Sequence, residues 1–280
     1  MPGAGQPKST TLDIVDRYLQ VGKARLRYRD EGSGPAIVLI HGWTLDLEMW
    51  DPQVALLRDS FRLIRLDRRG FGLSTGDPDS SCDVGDLDAL YRHLALDRVA
   101  VIGMSQGARS ALGFAALAPE RFAALILDGP PALAAEASDV DVPILQFRSL
   151  AGSRGIESFR REWRNHPLTQ LRTREPAMHG LLRTMLERYR GTDLLLPAGF
   201  DSDLPQPALD RVRVPTLILT GELDVDSRIA SADDLSRRLP RAERGAIAGA
   251  GHLPNLDNPV AYTHMCRSFL TRHLPLRAVP

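Results

Sequence analysis

The chain is predicted to form a doubly wound α/β domain on a mostly parallel sheet, interrupted by a helical cap insertion. Three observations predict it. Short, nearly continuous apolar runs recur at residues 36–40, 63–66, 99–104, 123–127 and 216–219, as in strands covered on both faces. Stretches with helical spacing separate most of them, and such alternation winds a parallel sheet through right-handed crossovers. The alternation lapses after Asp128-Gly129-Pro130-Pro131 and resumes only at Val214-Pro215-Thr216, which leaves room for an insertion.

At 280 residues, 43% hydrophobic and 25% charged, the chain can bury one large core. Its formal net charge is zero, so no global field favours nucleic acid or an acidic membrane surface, and neither is an expected partner. Residues 1–11 lack the apolar core of a signal peptide, and no later segment offers eighteen uninterrupted apolar residues. Cys82 and Cys266 make neither a metal-ligand spacing nor a disulfide framework. A reduced, cytoplasmic setting is the expectation. Nothing in the sequence encodes an oligomeric state.

In chain order, residues 13–21 and 24–29 alternate apolar and polar around Gly22-Lys23, the pattern of an edge hairpin. Helices are expected at 52–58, 84–94, 106–118, 230–239 and 259–271, between and after the buried strands. The core domain then comprises residues 1–131 and 209–280, and the cap residues 132–208. Within the cap, 142–149, 155–165 and 176–190 carry helical spacing. An insertion that enters from the carboxyl edge of the sheet must lie over that edge. Phe147, Phe159, Trp163, Met178 and Met185, with Trp43 from the core, are therefore the expected lining of a substrate pocket.

Gly103-Met104-Ser105-Gln106-Gly107 sits where the strand at 99–104 turns into the helix at 106–118. A serine between glycines at such a junction is a nucleophile elbow, whose sharp turn lifts the hydroxyl clear of the sheet. A serine hydroxyl needs a base near neutral pH. His252 is the best placed histidine, in the small-residue loop Gly249-Ala250-Gly251-His252 between the strand-like 245–248 and the last helix. His93, His166, His179, His264 and His273 fall in helical or cap segments and read as surface or packing residues, and His41 as a loop organiser. The acid that orients His252 is assigned to Asp224, just past the strand at 216–219 and Gly221. Glu222, Asp226 and Asp128 are its rivals. Attack on a carbonyl creates an oxyanion, for which the backbone N–H groups of Gln106 and Trp43 are the expected donors.

The chain resembles the α/β-hydrolase superfamily of serine esterases and lactonases over nearly its full length. Four separated motifs carry the resemblance: His41-Gly42-Trp43, then Asp67-Arg68-Arg69-Gly70-Phe71-Gly72-Leu73-Ser74, then the elbow, and last Gly221-Glu222-Leu223-Asp224 paired with Gly251-His252. The order Ser105, Asp224, His252 is also that of the superfamily. Within it the chain is similar to the capped carboxylesterase and enol-lactonase group, which implies a Ser-Asp-His triad that works without metal or cofactor. The implied reaction is hydrolysis of a carboxylic ester or lactone of a small to medium, largely apolar substrate through a covalent acyl-enzyme. Ser105 stands where related dehalogenases and epoxide hydrolases carry Asp. Met104 and Leu253 stand where carbon–carbon hydrolases commonly carry Asn and Trp. Carbon–carbon cleavage, perhydrolysis and peptide cleavage by the same triad stay open as alternatives, as does a small-molecule receptor on this fold.

Overall fold

The computed structural model describes residues 15–133, 142–196 and 207–274. Eight strands form one sheet: β1 (Arg17–Val21), β2 (Ala24–Gly32), β3 (Ala36–Ile40), β4 (Arg62–Leu66), β5 (Val99–Met104), β6 (Phe122–Asp128), β7 (Thr216–Gly221) and β8 (Ala242–Ile247). Their order is β1-β2-β4-β3-β5-β6-β7-β8. β2 runs antiparallel to both β1 and β4, and every other pairing is parallel. The expected fold class therefore holds. Residues 1–11 and the first two residues of the expected edge hairpin lie outside the described residues.

The apolar runs are continuous because both sheet faces are covered. Along β3, Ile37 and Leu39 enter one buried cluster while Val38 and Ile40 enter the other. The first cluster takes in α1 (Asp51–Leu57) and α10 (Pro259–His273). The second takes in α2 (Asp83–His93), α3 (Gln106–Leu117) and α8 (Asp226–Arg238). Two strands are longer than their apolar patterns suggested. β2 continues to Gly32 because Asp30 and Glu31 pair with Ile64 and Leu63, and the Asp30 carboxylate grips the Arg62 guanidinium at 2.8 and 2.7 Å. β8 starts at Ala242 because the β7 ladder reaches it, and an edge strand tolerates polar Glu243 and Arg244.

Between β6 and β7 the chain forms α4 (Ile144–Arg154), α5 (Ile156–Trp163), α6 (Pro176–Arg188) and α7 (Thr192–Leu195). The segments that would join this unit to the sheet, 134–141 and 197–206, lie outside the described residues. Charged and polar ties fasten these helices to the loops at the carboxyl edge. The Arg188 guanidinium pairs with Asp46 at 2.7 Å and Glu48 at 2.9 Å, and Arg190 donates to the carbonyls of Gly70, Gly72 and Ser74. Cys82 and Cys266 are free thiols. Among the described residues no helix is long and apolar enough to cross a membrane.

Candidate active site

Ser105 occupies the turn from β5 into α3 with φ 52° and ψ −116°. A non-glycine residue held there stores about 1–3 kcal/mol of backbone strain, so its surroundings must impose the geometry. They do so by hydrogen bonds and by close packing. The Ser105 N–H donates to the Asp128 carbonyl at 2.7 Å, and the Ser105 carbonyl accepts from Ala108 at 2.9 Å and Arg109 at 3.2 Å. A Cβ added to Gly103 would lie 2.4 Å from the Gly107 carbonyl oxygen, so only glycine lets strand and helix approach this closely.

His252 lies in the loop between β8 and α9 (Pro254–Asp257), and Asp224 in the loop between β7 and α8. With its proton on Nδ1, the imidazole donates to the Asp224 carboxylate, whose oxygens lie 3.1 and 3.0 Å away. The Val225 N–H donates to the same carboxylate at 2.8 Å. Backbone bonds hold the two loops together: Leu223 N–H to Ala250 O at 2.8 Å and Glu222 N–H to Ile247 O at 2.9 Å. Beneath the ring lies Gly129, with φ 52°, where an added Cβ would stand 2.8 Å from His252 Cε1.

The rival acids have other positions. Glu222 accepts from the Gly249 N–H at 2.9 Å, and Asp226 begins α8. Asp128 is fully buried beside Tyr262, and burial together with the neighbouring Asp224 carboxylate pushes its pKa well above the usual carboxylate range. The same burial disfavours the anion that a histidine base requires, and the hydrogen bonds of His252 Nδ1 run to Asp224 instead.

The loop after β3 packs on the elbow, since a Cβ added to Gly42 would lie 3.3 Å from Ser105 Cβ. Its next residue, Trp43, is gripped by the helices between β6 and β7. The indole N–H donates to Asp193 Oδ2 at 2.6 Å, and the Tyr189 hydroxyl donates to Asp193 Oδ1 at 2.6 Å. Trp163 packs edge-on against Trp43 at 4.8 Å between ring centroids and donates its indole N–H to Thr44 Oγ1 at 2.8 Å. Asp193→Ala takes the shared carboxylate from Trp43 and Tyr189, at about 1–3 kcal/mol for each buried donor. Calorimetry is expected to show a melting temperature lower by several degrees, with a smaller loss in Asp193→Asn. An unchanged value would contradict this linkage.

His41 is a structural histidine. Its Nδ1 donates to the Gly42 carbonyl at 2.7 Å and its Nε2 accepts from the Arg68 N–H at 2.9 Å. Burial, reinforced by the Arg68 charge, lowers its pKa from 6.5 to about 3. Between these values the unfolded chain binds the proton and the folded chain does not, so stability rises with pH. His41 thus contributes its full share above about pH 6.5 and loses it progressively as pH falls toward 3. Nitrogen-15 NMR of the imidazoles is expected to show His41 neutral and untitrated from pH 8 to 5. Protonation within that range would contradict the assignment.

Ser105, His252, Trp43 and Gln106 line one cavity of about 650 Å³, counting its open mouth. Of the six residues expected to line a pocket, Trp43 and Trp163 do. Phe147, Phe159 and Met185 do not, because they are buried in the apolar cluster behind those indoles, and Met178 is half-buried against the same cluster. The helices spend their apolar stripes on one another, and only residues at the seam with the sheet reach the cavity. Sequence reasoning missed Arg109 and Arg228 in its wall. The available signal was spacing: each stands four residues, one helical turn, after Ser105 or Asp224. Among the described residues no three of His, Cys, Asp and Glu gather in a way that could hold a metal ion.

Comparison with known proteins matches residues 35–259 to the alpha/beta hydrolase fold family. A 2-(acetamidomethylene)succinate hydrolase of Mesorhizobium japonicum is 29% identical over 263 residues, 88% of this chain and 91% of that protein. Among solved structures, a thermophilic esterase from Thermogutta terrifontis, in a malate-bound form, superposes with a TM-score of 0.76 at 26% identity, covering 93% of this chain and 99% of its own. The enol-lactonase from Burkholderia xenovorans LB400 does so with a TM-score of 0.75 at 26% identity, covering 91% and 100%.

Proposed function

The chain belongs to the alpha/beta hydrolase family, and we propose that within it the protein is a serine hydrolase that cleaves a carboxylic ester or lactone through a covalent acyl-enzyme. One observation carries this reading: the strained Ser105 and the Asp224-paired His252 face the same cavity. Esterase and enol-lactonase chemistry among the similar proteins supports it. The core, residues 1–131 and 209–280, supplies the triad, and residues 132–208 act as the cap.

In the first step neutral His252 Nε2 removes the Ser105 hydroxyl proton as Oγ attacks the carbonyl carbon. The carbonyl electron pair moves onto oxygen, where the N–H groups of Trp43 and Gln106 receive it. Asp224 stabilises the imidazolium and keeps Nδ1 as the donor. Collapse of the tetrahedral intermediate breaks the bond to the alkoxy oxygen, which leaves with the proton from His252. Water, deprotonated by the same imidazole, then attacks the acyl-enzyme and releases the acid and Ser105. In a lactone both products stay on one molecule.

A panel of short 4-nitrophenyl esters and lactones tests this reading. A stoichiometric burst followed by many turnovers of acid release is expected. Saturable binding without acid release would instead identify a receptor.

A further inference from the structure

We propose that Arg68 positions both halves of the oxyanion hole: its backbone holds the loop that presents the Trp43 N–H, and its guanidinium holds the residue that presents the Gln106 N–H. This rests on the serine-hydrolase reading and adds to it a positioning residue outside the triad. Arg68 follows β4, His41 follows β3 and Ser105 follows β5, and in the sheet β3 lies between the other two. Three neighbouring strand ends therefore meet at this point.

The backbone arm runs through His41. The Arg68 N–H donates to His41 Nε2 at 2.9 Å, so that nitrogen carries no proton and the imidazole proton lies on Nδ1. From there it donates to the Gly42 carbonyl at 2.7 Å. That carbonyl and the Trp43 N–H belong to one trans peptide group, in which they point in opposite directions. Fixing the carbonyl thus aims the N–H.

The side-chain arm reaches the other donor. Arg68 Nη1 donates to Gln106 Oε1, while Nε and Nη2 donate to Asp83 Oδ2 at 3.1 and 2.6 Å. Asp83 opens α2 and also accepts from the Ser110 hydroxyl, one turn past Gln106 in α3. All of these side chains are buried. A guanidinium is a rigid planar fork, so once Asp83 fixes one edge of it the remaining N–H group stands in a set place and pins Gln106. Such placement matters to the rate, because one oxyanion donor is worth about 10²–10³ in kcat and a misplacement of about 1 Å can cost about 10².

Three variants test the two arms. Arg68→Lys keeps a cation beside Asp83 but replaces the fork by a single ammonium, and Gln106→Leu keeps both the Arg68–Asp83 pair and the backbone N–H. His41→Leu cuts the other arm. Each is compared with the wild type on a methyl ester and on its thionoester, in which sulfur replaces the carbonyl oxygen and accepts hydrogen bonds poorly. The wild type is expected to favour the oxygen ester strongly. In the variants kcat for the oxygen ester falls by about 10- to 100-fold with little change in KM, and the oxygen-to-sulfur ratio of kcat/KM falls with it. A fold loosened in a general way slows both substrates alike and leaves that ratio where it was. A trifluoromethyl ketone, which on addition of Ser105 places an anionic oxygen in the hole, is expected to lose affinity in the variants, whereas the parent methyl ketone binds as before. Circular dichroism verifies folding.

Folded Arg68→Lys and Gln106→Leu enzymes that keep the wild-type ratio, or that lose oxygen-ester and thionoester turnover in equal proportion, would overturn the role of Arg68. A wild-type enzyme with neither fluorophosphonate labelling of Ser105 nor ester turnover would instead remove the serine-hydrolase reading itself, and this role with it.

Discussion

Ser105→Ala is expected to fold as the wild type does and to lose ester turnover by about 10⁴-fold or more. The substitution removes only the hydroxyl. The Cβ that packs near Gly42 remains, and alanine tolerates φ 52° no worse than serine, so the melting temperature is expected to shift little. The activity left over is what the oxyanion donors and substrate binding supply without a nucleophile. Stopped-flow measurement on a 4-nitrophenyl ester separates this from a binding defect. The burst of nitrophenol disappears with the steady-state rate, while the affinity for a non-hydrolysable ketone analogue changes far less. A Ser105→Ala enzyme that retains the burst has its nucleophile elsewhere.

Asp224→Asn is expected to lower kcat by about 10⁴, because an amide can donate to Nδ1 and so favours the tautomer with its proton on Nε2, facing the wrong way. The informative control is Asp128→Asn. That carboxyl is fully buried, burial and the Asp224 charge push its pKa up, and the hydrogen bonds of His252 Nδ1 run to Asp224, so an amide of the same shape at position 128 leaves the His252–Asp224 pair in place. Asp128→Asn is expected to stay within about tenfold of wild type, while Asp224→Asn falls by orders of magnitude. The reverse ranking in kcat would transfer the triad acid to the end of β6.

Much of this arrangement was legible in the sequence, for reasons tied to particular residues. The runs in β3, β5 and β6 read as buried strands because helices cover both faces, as the split of Ile37 and Leu39 from Val38 and Ile40 records. The elbow was legible because Gly103 leaves no room for a Cβ where strand and helix meet, a constraint that glycine alone satisfies. The choice among acids was less so. Asp128 and Asp224 both end or follow apolar strands and both are buried, and the hydrogen bonds to His252 separate them.

The pocket walls were the least legible part. Helical spacing places Phe159 with Trp163 on one apolar stripe and Phe147 and Met185 on stripes of two other helices, but not which member stands at the seam with the sheet. The seam is set by long-range contacts such as the Asp193 grip on Trp43 across 150 positions of sequence. Arg109 and Arg228 went unnoticed for the opposite reason. Each looks like an ordinary charged residue early in a helix until the fold brings both to one cavity.

The central claim is that Ser105 is the atom donor in a covalent step, and peptide mapping after reaction with a fluorophosphonate tests it most directly. The account predicts one phosphonyl group per chain, on the peptide that contains Ser105, formed in parallel with loss of ester turnover. A modification on any other residue that abolishes turnover, or full turnover with Ser105 modified, would contradict it.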